Sequence, residues 1–307
     1  MPPLPLDVLA ETFPGILDLK TRLTPRSLEG YQSDATLYLR WCDYDSARAL
    51  DVATFRAWRN HLVDATTRSP NTINRRLHAI RSLVVASAAR EAIDQAIAFR
   101  FRLVEPVGRA SLRARLKAQH TLSPAQVRAL VHAPDPLTHA GLRDRALLIT
   151  LAGSGCRISE LLTLTSADLR QEGAAWFLHV LGKGQTYARR APCSSEAVTW
   201  IRRWLDKRAK AGVDVALIFT GFTGRYDRPT RQGLKRNAAW RRIKAYGQQC
   251  GLPWLTPHDL RRFVATQVAA RHDLRAAQKA LGHASLTTTS THYIRDELAP
   301  HLTEGLY

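Results

Sequence analysis

The chain has 307 residues, 45% of them hydrophobic, with 45 Lys and Arg against 26 Asp and Glu and a formal charge of +19. That hydrophobic share suffices for two ordinary globular domains and excludes wholesale disorder. The positive excess asks for a polyanionic partner, nucleic acid first. A membrane is excluded as partner, because no apolar run nears the roughly 20 residues that span a bilayer and neither end carries a basic amphipathic helix.

The first basic side chain, Lys20, comes only after Asp7, Glu11 and Asp18, unlike a secretory signal, so the expected location is the cytoplasm. Three helical patterns dominate the first hundred residues. Thr24 reads as an N-cap with Pro25 at the first helical position, and Leu28, Tyr31, Ala35, Tyr38 and Cys42 follow at helical spacing. Phe55, Trp58 and Leu62 form a shorter stripe. A third follows Ser69 and Pro70, with Ile73, Leu77, Ile80 and Val84 inward and Arg75, Arg76 and Arg81 outward. Residues 1–105 therefore read as an all-helical domain.

Between about residues 97 and 120 the apolar periodicity fades, while Arg100, Arg102, Arg109, Arg113, Arg115 and Lys117 stand against Glu105 alone. Residues 106–120 read as a basic linker, either a strap along a phosphate backbone or a solvated connector. A second domain, 121–307, opens with Ser123 as N-cap and Pro124 behind it. It is mostly helical around one β element: a strand over 176–181, a Gly182-Lys183-Gly184 turn and a return over 186–192. Further on, Arg228, Arg231, Lys235, Arg236, Arg241, Arg242 and Lys244, with Trp240 among them, form a strongly basic segment expected to be helical. The four cysteines (Cys42, Cys156, Cys193, Cys250) lack the paired spacing of a zinc or redox motif.

Four short stretches present a cation, an imidazole or a phenol at places where local structure turns it outward. In GSGCRISELL, residues 153–162, the glycines break an apolar helix and Arg157 begins the next, with Glu160 three residues on and able to hold its guanidinium. Lys183 sits at the hairpin tip. In TPHDLRR, residues 256–262, Thr256 and Pro257 start a helix whose first turn carries His258 and Arg261 at i and i+3, beside the positive end of the helix dipole. Finally, His283 follows Gly282 in a turn before a short polar helix that opens near Ser285 and reaches Tyr293.

Taken together and in this order, the stretches resemble the tyrosine recombinase, or phage integrase, family. Its signature is an arginine in G-x-R-x-x-E-L, a lysine on a β-hairpin, H-x-x-R, then L-G-H and a tyrosine about ten residues later. The resemblance is strong over about residues 121–295 and weak over the N-terminal helices. Two departures stand out. The commonest histidine-to-tyrosine spacing in the family is nine, which here lands on His292, so Tyr293 at ten is assigned; and Arg262 stands where the family often has His.

The resemblance implies a mainly α fold with a small β-sheet: a helical core-binding domain and a mixed α/β catalytic domain forming a clamp around double-stranded DNA, working as a homotetramer on two sites. It implies strand cleavage by Tyr293 through a 3′-phosphotyrosine, with Arg157, Arg261 and His283 on the phosphate, His258 assisting proton movement, Lys183 as general acid and Glu160 in support. Arg75, Arg76, Arg81, Arg113, Arg115, Arg231, Lys235, Arg236, Arg241 and Arg242 are the candidate DNA contacts. A free phenol has a pKa of about 10, so such a tyrosine needs activation by its neighbours. No cofactor is expected, neither ATP nor metal: the only acids between Leu255 and Arg295 are Asp259 and Asp273, and the histidines there lack ligand spacing. Two other readings use the same residues, a type IB topoisomerase-like activity and a catalytically silent DNA-binding regulator.

Overall fold

The computed structural model describes residues 2–108, 110–115, 120–182, 187–224 and 228–282, without the side chains of Ser111 and Arg113. Contacts divide the chain into two units, Met1–Ala118 and Gln119–Tyr307, each with its own apolar core.

The first unit is helical: α1 Leu6–Thr12, α2 Ile16–Arg22, α3 Pro25–Trp41, α4 Ser46–Leu50, α5 Val52–Asp64, α6 Pro70–Ala89 and α7 Gln95–Arg102, then a 3-10 segment Ala110–Arg115. The Thr24 side chain accepts from the Ser27 N–H and that of Ser69 from the Thr72 N–H, so both helices begin where the sequence places them. Ala35, Tyr38, Cys42, Phe55, Trp58, Leu62, Ile73, Leu77, Ile80 and Val84 are buried. Tyr38 meets Phe55 edge-on at 5.8 Å between ring centroids, and Phe55 stacks on Phe101 at 4.6 Å.

Two expectations need correction here. The stretch from residue 97 is no solvated connector at its start: α7 buries Ala98 and Phe101, and Val104, Val107 and Leu112 join the same core. Its backbone is held by side chains. Arg59 Nε donates to the Glu105 carbonyl at 2.9 Å, Arg81 donates to that of Val104, and Asn74 brackets Val107, donating to its carbonyl at 2.9 Å and accepting from its N–H at 2.7 Å. Nor do all three arginines of α6 point outward. Arg75 is exposed but forks onto the buried carboxylate of Asp34, at 2.9 Å from Oδ1. The Arg76 side chain is 14% exposed beside the same acid, and Arg81 is tied down at Val104. Burial lowers the pKa of both Arg76 and Arg81 and raises that of Asp34, in the last case against the pull of Arg75 and Arg76.

The second unit runs α8 Pro124–His132, α9 His139–Ser154, α10 Ile158–Leu161, β1 Leu169–Glu172, β2 Ala175–Leu181, β3 Ala188–Cys193, α11 Ser195–Lys210, β4 Thr220–Thr223, β5 Arg228–Gly233, α12 Arg236–Gln249, α13 Pro257–Arg271 and α14 Leu274–Leu281. Helix α9 is buried along most of its length because α8, α11 and α13 pack around it. The antiparallel sheet β1-β2-β3 pairs Val180 with Arg189 and His179 with Arg190. Along β3, residues 189, 191 and 193 therefore face the core while 190 and 192 face away. The basic segment is not helical throughout: Arg228 and Arg231 lie on β5, paired with β4, and the helix begins only at Arg236. Pro229, Thr230 and Gly233 disfavour a helix there, and pairing with β4 uses their extended backbone.

An acid inside α9 reorganises part of that segment. Asp144 accepts from Arg143 Nη2 at 2.6 Å, Arg242 Nε at 2.7 Å and the Tyr246 hydroxyl at 3.1 Å. Arg143, 1% exposed, also donates to the Thr220 carbonyl at 3.0 Å and lies over the Phe222 ring. Asp144→Ala strands the buried Arg143, so urea unfolding is expected to give a stability lower by about 3–5 kcal/mol; a change under about 1 kcal/mol would match an exposed pair instead.

Candidate active site

Helix α9 ends at Gly155, whose φ of +64° lies in the left-handed region. A Cβ there would stand 2.9 Å from Leu281 Cδ2 and 3.1 Å from Val264 Cγ1, so only glycine lets the chain turn this close to α13 and the end of α14. The turn delivers Arg157 to the N-cap of the one-turn α10. Glu160 reaches back, with Oε2 accepting from the Arg157 backbone N–H at 2.9 Å and Oε1 from Arg157 Nη1 at 2.7 Å. The carboxylate is buried while the Arg157 side chain is 48% exposed, so the acid anchors a guanidinium that still faces solvent. Burial works against ionising Glu160, but the hydrogen bonds from Arg157 and the charges of Arg189 and Arg157 outweigh it and hold the carboxyl below its ordinary range.

Arg261 lies beneath this corner and is 1% exposed. Its Nη1 donates to the Gly155 carbonyl at 2.5 Å and its Nη2 to the Leu281 carbonyl at 2.8 Å. One guanidinium thus ties the turn before Arg157 to the residue two before His283. The outward face expected for His258 and Arg261 together belongs to His258 alone; Arg261 turns into the molecule, where it supplies a charged donor to those two carbonyls. At the start of α13, Asp259 accepts from both the N–H and the hydroxyl of Thr256, at 2.8 and 2.7 Å, and fixes the turn that carries His258.

His258 is exposed by area, yet neighbouring atoms strip part of its hydration. That loss comes first among the causes that lower its pKa from 6.5; the charges of Arg262, Arg261 and Arg157 add to it, and Asp259 opposes. The charges of Arg157 and Arg261 both act on this imidazole and favour its neutral form. A depressed imidazole pKa withdraws stability as pH falls below the unfolded value, because the unfolded chain then binds the proton more readily. The Tm of the parent should accordingly fall faster than that of His258→Gln as pH drops from 6.5; parallel curves would contradict the placement.

Lys183, His283 and Tyr293 lie outside the described residues, as does the side chain of Arg113. Of the other surface cations, Arg231, Lys235, Arg236 and Arg241 are exposed, and Arg115 is half-buried. Arg231, Lys235 and Arg241 line a cleft of about 670 Å³ between the β4–β5 hairpin and α12, with Arg143 and Arg242 also in its wall. Arg242 is engaged with Asp144. Sequence reasoning missed two residues. Arg189 of β3 was visible in the alternation of Ala191 and Cys193, which puts 189 in the inward phase, and Asp144 as the one acid in an apolar helix. Among the described residues no group of three or more His, Cys, Asp or Glu side chains is arranged to hold a metal. No helix among them is long and apolar enough to cross a membrane.

Comparison with known proteins gives the same family as the motifs. Residues 120–299 match the model of the phage integrase family. The chain is 31% identical over 304 residues to the tyrosine recombinase XerD of Ralstonia nicotianae, covering 94% of this chain and 90% of that protein. It is 32% identical to XerD of Xanthomonas axonopodis pv. citri, over 86% of this chain and 85% of the relative. Among solved structures, the Tn1549 transposon integrase in complex with circular intermediate DNA is similar with a TM-score of 0.65 at 17% identity, covering 94% of this chain and 96% of that one. A lambda integrase tetramer bound to a Holliday junction gives 0.66 at 15% identity, covering 97% and 81%. These likenesses to solved structures establish the mostly helical fold with small antiparallel sheets. The chain belongs to the phage integrase family, the tyrosine recombinases.

Proposed function

We propose that this protein cuts and rejoins double-stranded DNA at specific sites through a 3′-phosphotyrosine link at Tyr293. The observation that carries the reading is the double tie of Arg261 to Gly155 and Leu281, which draws the Arg157 turn, the His258 helix and the segment leading to His283 around one point. In this reading the exposed guanidinium of Arg157, backed by Glu160, meets the non-bridging oxygens of the scissile phosphate. Arg261 adds its positive charge from below, and His283 a hydrogen bond. The Tyr293 oxygen attacks phosphorus and neutral His258 takes the phenol proton. As the bond from phosphorus to the 5′ oxygen breaks, Lys183 protonates the leaving oxygen. The phosphotyrosine conserves the bond energy, and attack by a 5′ hydroxyl reverses every step, so neither ATP nor a metal is consumed or required.

Arg231, Lys235, Arg236 and Arg241 are exposed cations suited to the phosphate backbone. We assign the same role to Arg75, Arg113 and Arg115, while Arg76, Arg81 and Arg242 contribute mainly by holding backbone or acid in place. Exchange between two duplexes takes four subunits; the lambda integrase neighbour is a tetramer on a Holliday junction. The DNA substrate makes the cytoplasm the place of action.

The test is a pool of duplexes of randomised sequence, each nicked so that the short 5′-hydroxyl fragment diffuses away after cleavage. With EDTA present, the expected outcome is a protein–DNA adduct resistant to detergent and enriched for one sequence. Adducts spread evenly over the pool would indicate relaxation without a site, no adduct would indicate a silent DNA binder, and loss in EDTA would require a metal.

A further inference from the structure

We propose that Arg189 is the positioning residue that sets Arg157 and the segment leading to His283 in register with each other, an inference that rests on the function proposed above. The pairing of β3 with β2 turns this side chain inward, opposite buried Val180. There one planar fork serves two distant stretches: Nη2 donates to Glu160 Oε2 at 2.9 Å, and Nη1 to the Ala280 carbonyl at the end of α14 at 3.1 Å. Its stem fills the space over Gly282, where a Cβ would stand 2.2 Å from Arg189 Cδ and 2.6 Å from Nε. Gly282 itself has a φ of +66°, so the residue before His283 is confined to glycine by both backbone and neighbour.

The consequence for Arg157 follows from the division of labour on Glu160. Oε1 holds the Arg157 side chain, whereas Oε2 is shared by the Arg157 backbone and Arg189. Without Arg189 the buried carboxylate is braced from one side only, and the guanidinium it carries loses its fixed direction. Arg261 and Arg189 bond neighbouring carbonyls, Leu281 and Ala280, and reach the Arg157 turn from opposite ends, one through the Gly155 backbone and one through the Glu160 side chain. Arg190 supplies the internal comparison. It follows directly in sequence and carries the same charge, but faces the other side of the sheet, where it pairs with Glu172 at 2.7 Å.

Single-turnover adduct formation on the nicked duplex selected above, measured at saturating DNA beside the dissociation constant, tests the proposal. Arg189→Ala and Arg189→Lys should each slow adduct formation by about tenfold or more while leaving the dissociation constant within about twofold of the parent. The lysine variant keeps the charge and stem that support folding but cannot span Glu160 and Ala280 with one ammonium. Arg190→Ala should leave rate and affinity unchanged. Adding Arg189→Ala to Glu160→Gln should cost no more than the worse single change, because both act through one carboxylate. Parental rates in both Arg189 variants, or rate and affinity falling in the same proportion, would overturn the proposal although the parent cleaves. A parent that forms no adduct on any duplex overturns the proposed function, and this inference with it.

Discussion

Tyr293→Phe should yield no covalent adduct on the selected nicked duplex while retaining DNA affinity within about twofold of the parent, since one hydroxyl contributes little to an interface dominated by phosphate contacts. The expected effect is total because in the proposed reaction the hydroxyl oxygen is itself the atom that bonds to phosphorus. A phenol of pKa about 10 is ionised in roughly one molecule per thousand at pH 7, a shortfall worth about 4 kcal/mol. In the proposed mechanism Arg157, Arg261 and His258 make good that shortfall, but none of them carries an oxygen nucleophile. An adduct band of parental intensity in the phenylalanine variant would move the nucleophile elsewhere.

Replacing Arg261 should affect stability and chemistry together. Arg261→Met leaves the Gly155 and Leu281 carbonyls buried without their charged donors, at a cost of about 3 kcal/mol or more. For a unit of this size that lowers Tm by roughly 6–12 °C. Arg261→Lys retains the charge but reaches one carbonyl at most, so it should recover part of the stability. Well below either melting temperature, adduct formation should remain slower by about 100-fold or more in both variants, because neither side chain makes the double tie that sets the Arg157 turn against the end of α14. A methionine variant with parental Tm and parental cleavage would remove Arg261 from both roles.

What the sequence discloses and what it hides divide along physical lines. Thr24, Ser69 and Ser123 announce helix starts because a cap needs only its own next three residues. The apolar stripes of α3 and α6 are legible because each repeats over three turns or more, and that of α5 because three large apolar side chains stand at i, i+3 and i+7. Helices α1, α2 and α4 span seven, seven and five residues, too few turns for a period to show. The inward placement of Arg76 and Arg81 depends on partners far along the chain, Asp34 and the Val104 carbonyl, which no local pattern contains. In the site, the local pairing of Arg157 with Glu160 three residues on is legible in the sequence, and the structure has it. That Arg261 would be buried as a tie rather than presented outward is not legible there, since it follows from the approach of α14 to the Gly155 turn.

The most direct measurement is the chemical identity of the adduct. After nuclease and protease digestion of the trapped complex, mass spectrometry should find a nucleotide 3′-phosphate esterified to the Tyr293 oxygen, and the released strand should end in a 5′ hydroxyl. A nucleotide on any other residue, a 5′-phosphate on the tyrosine, or cleaved DNA with no attached peptide would contradict the account.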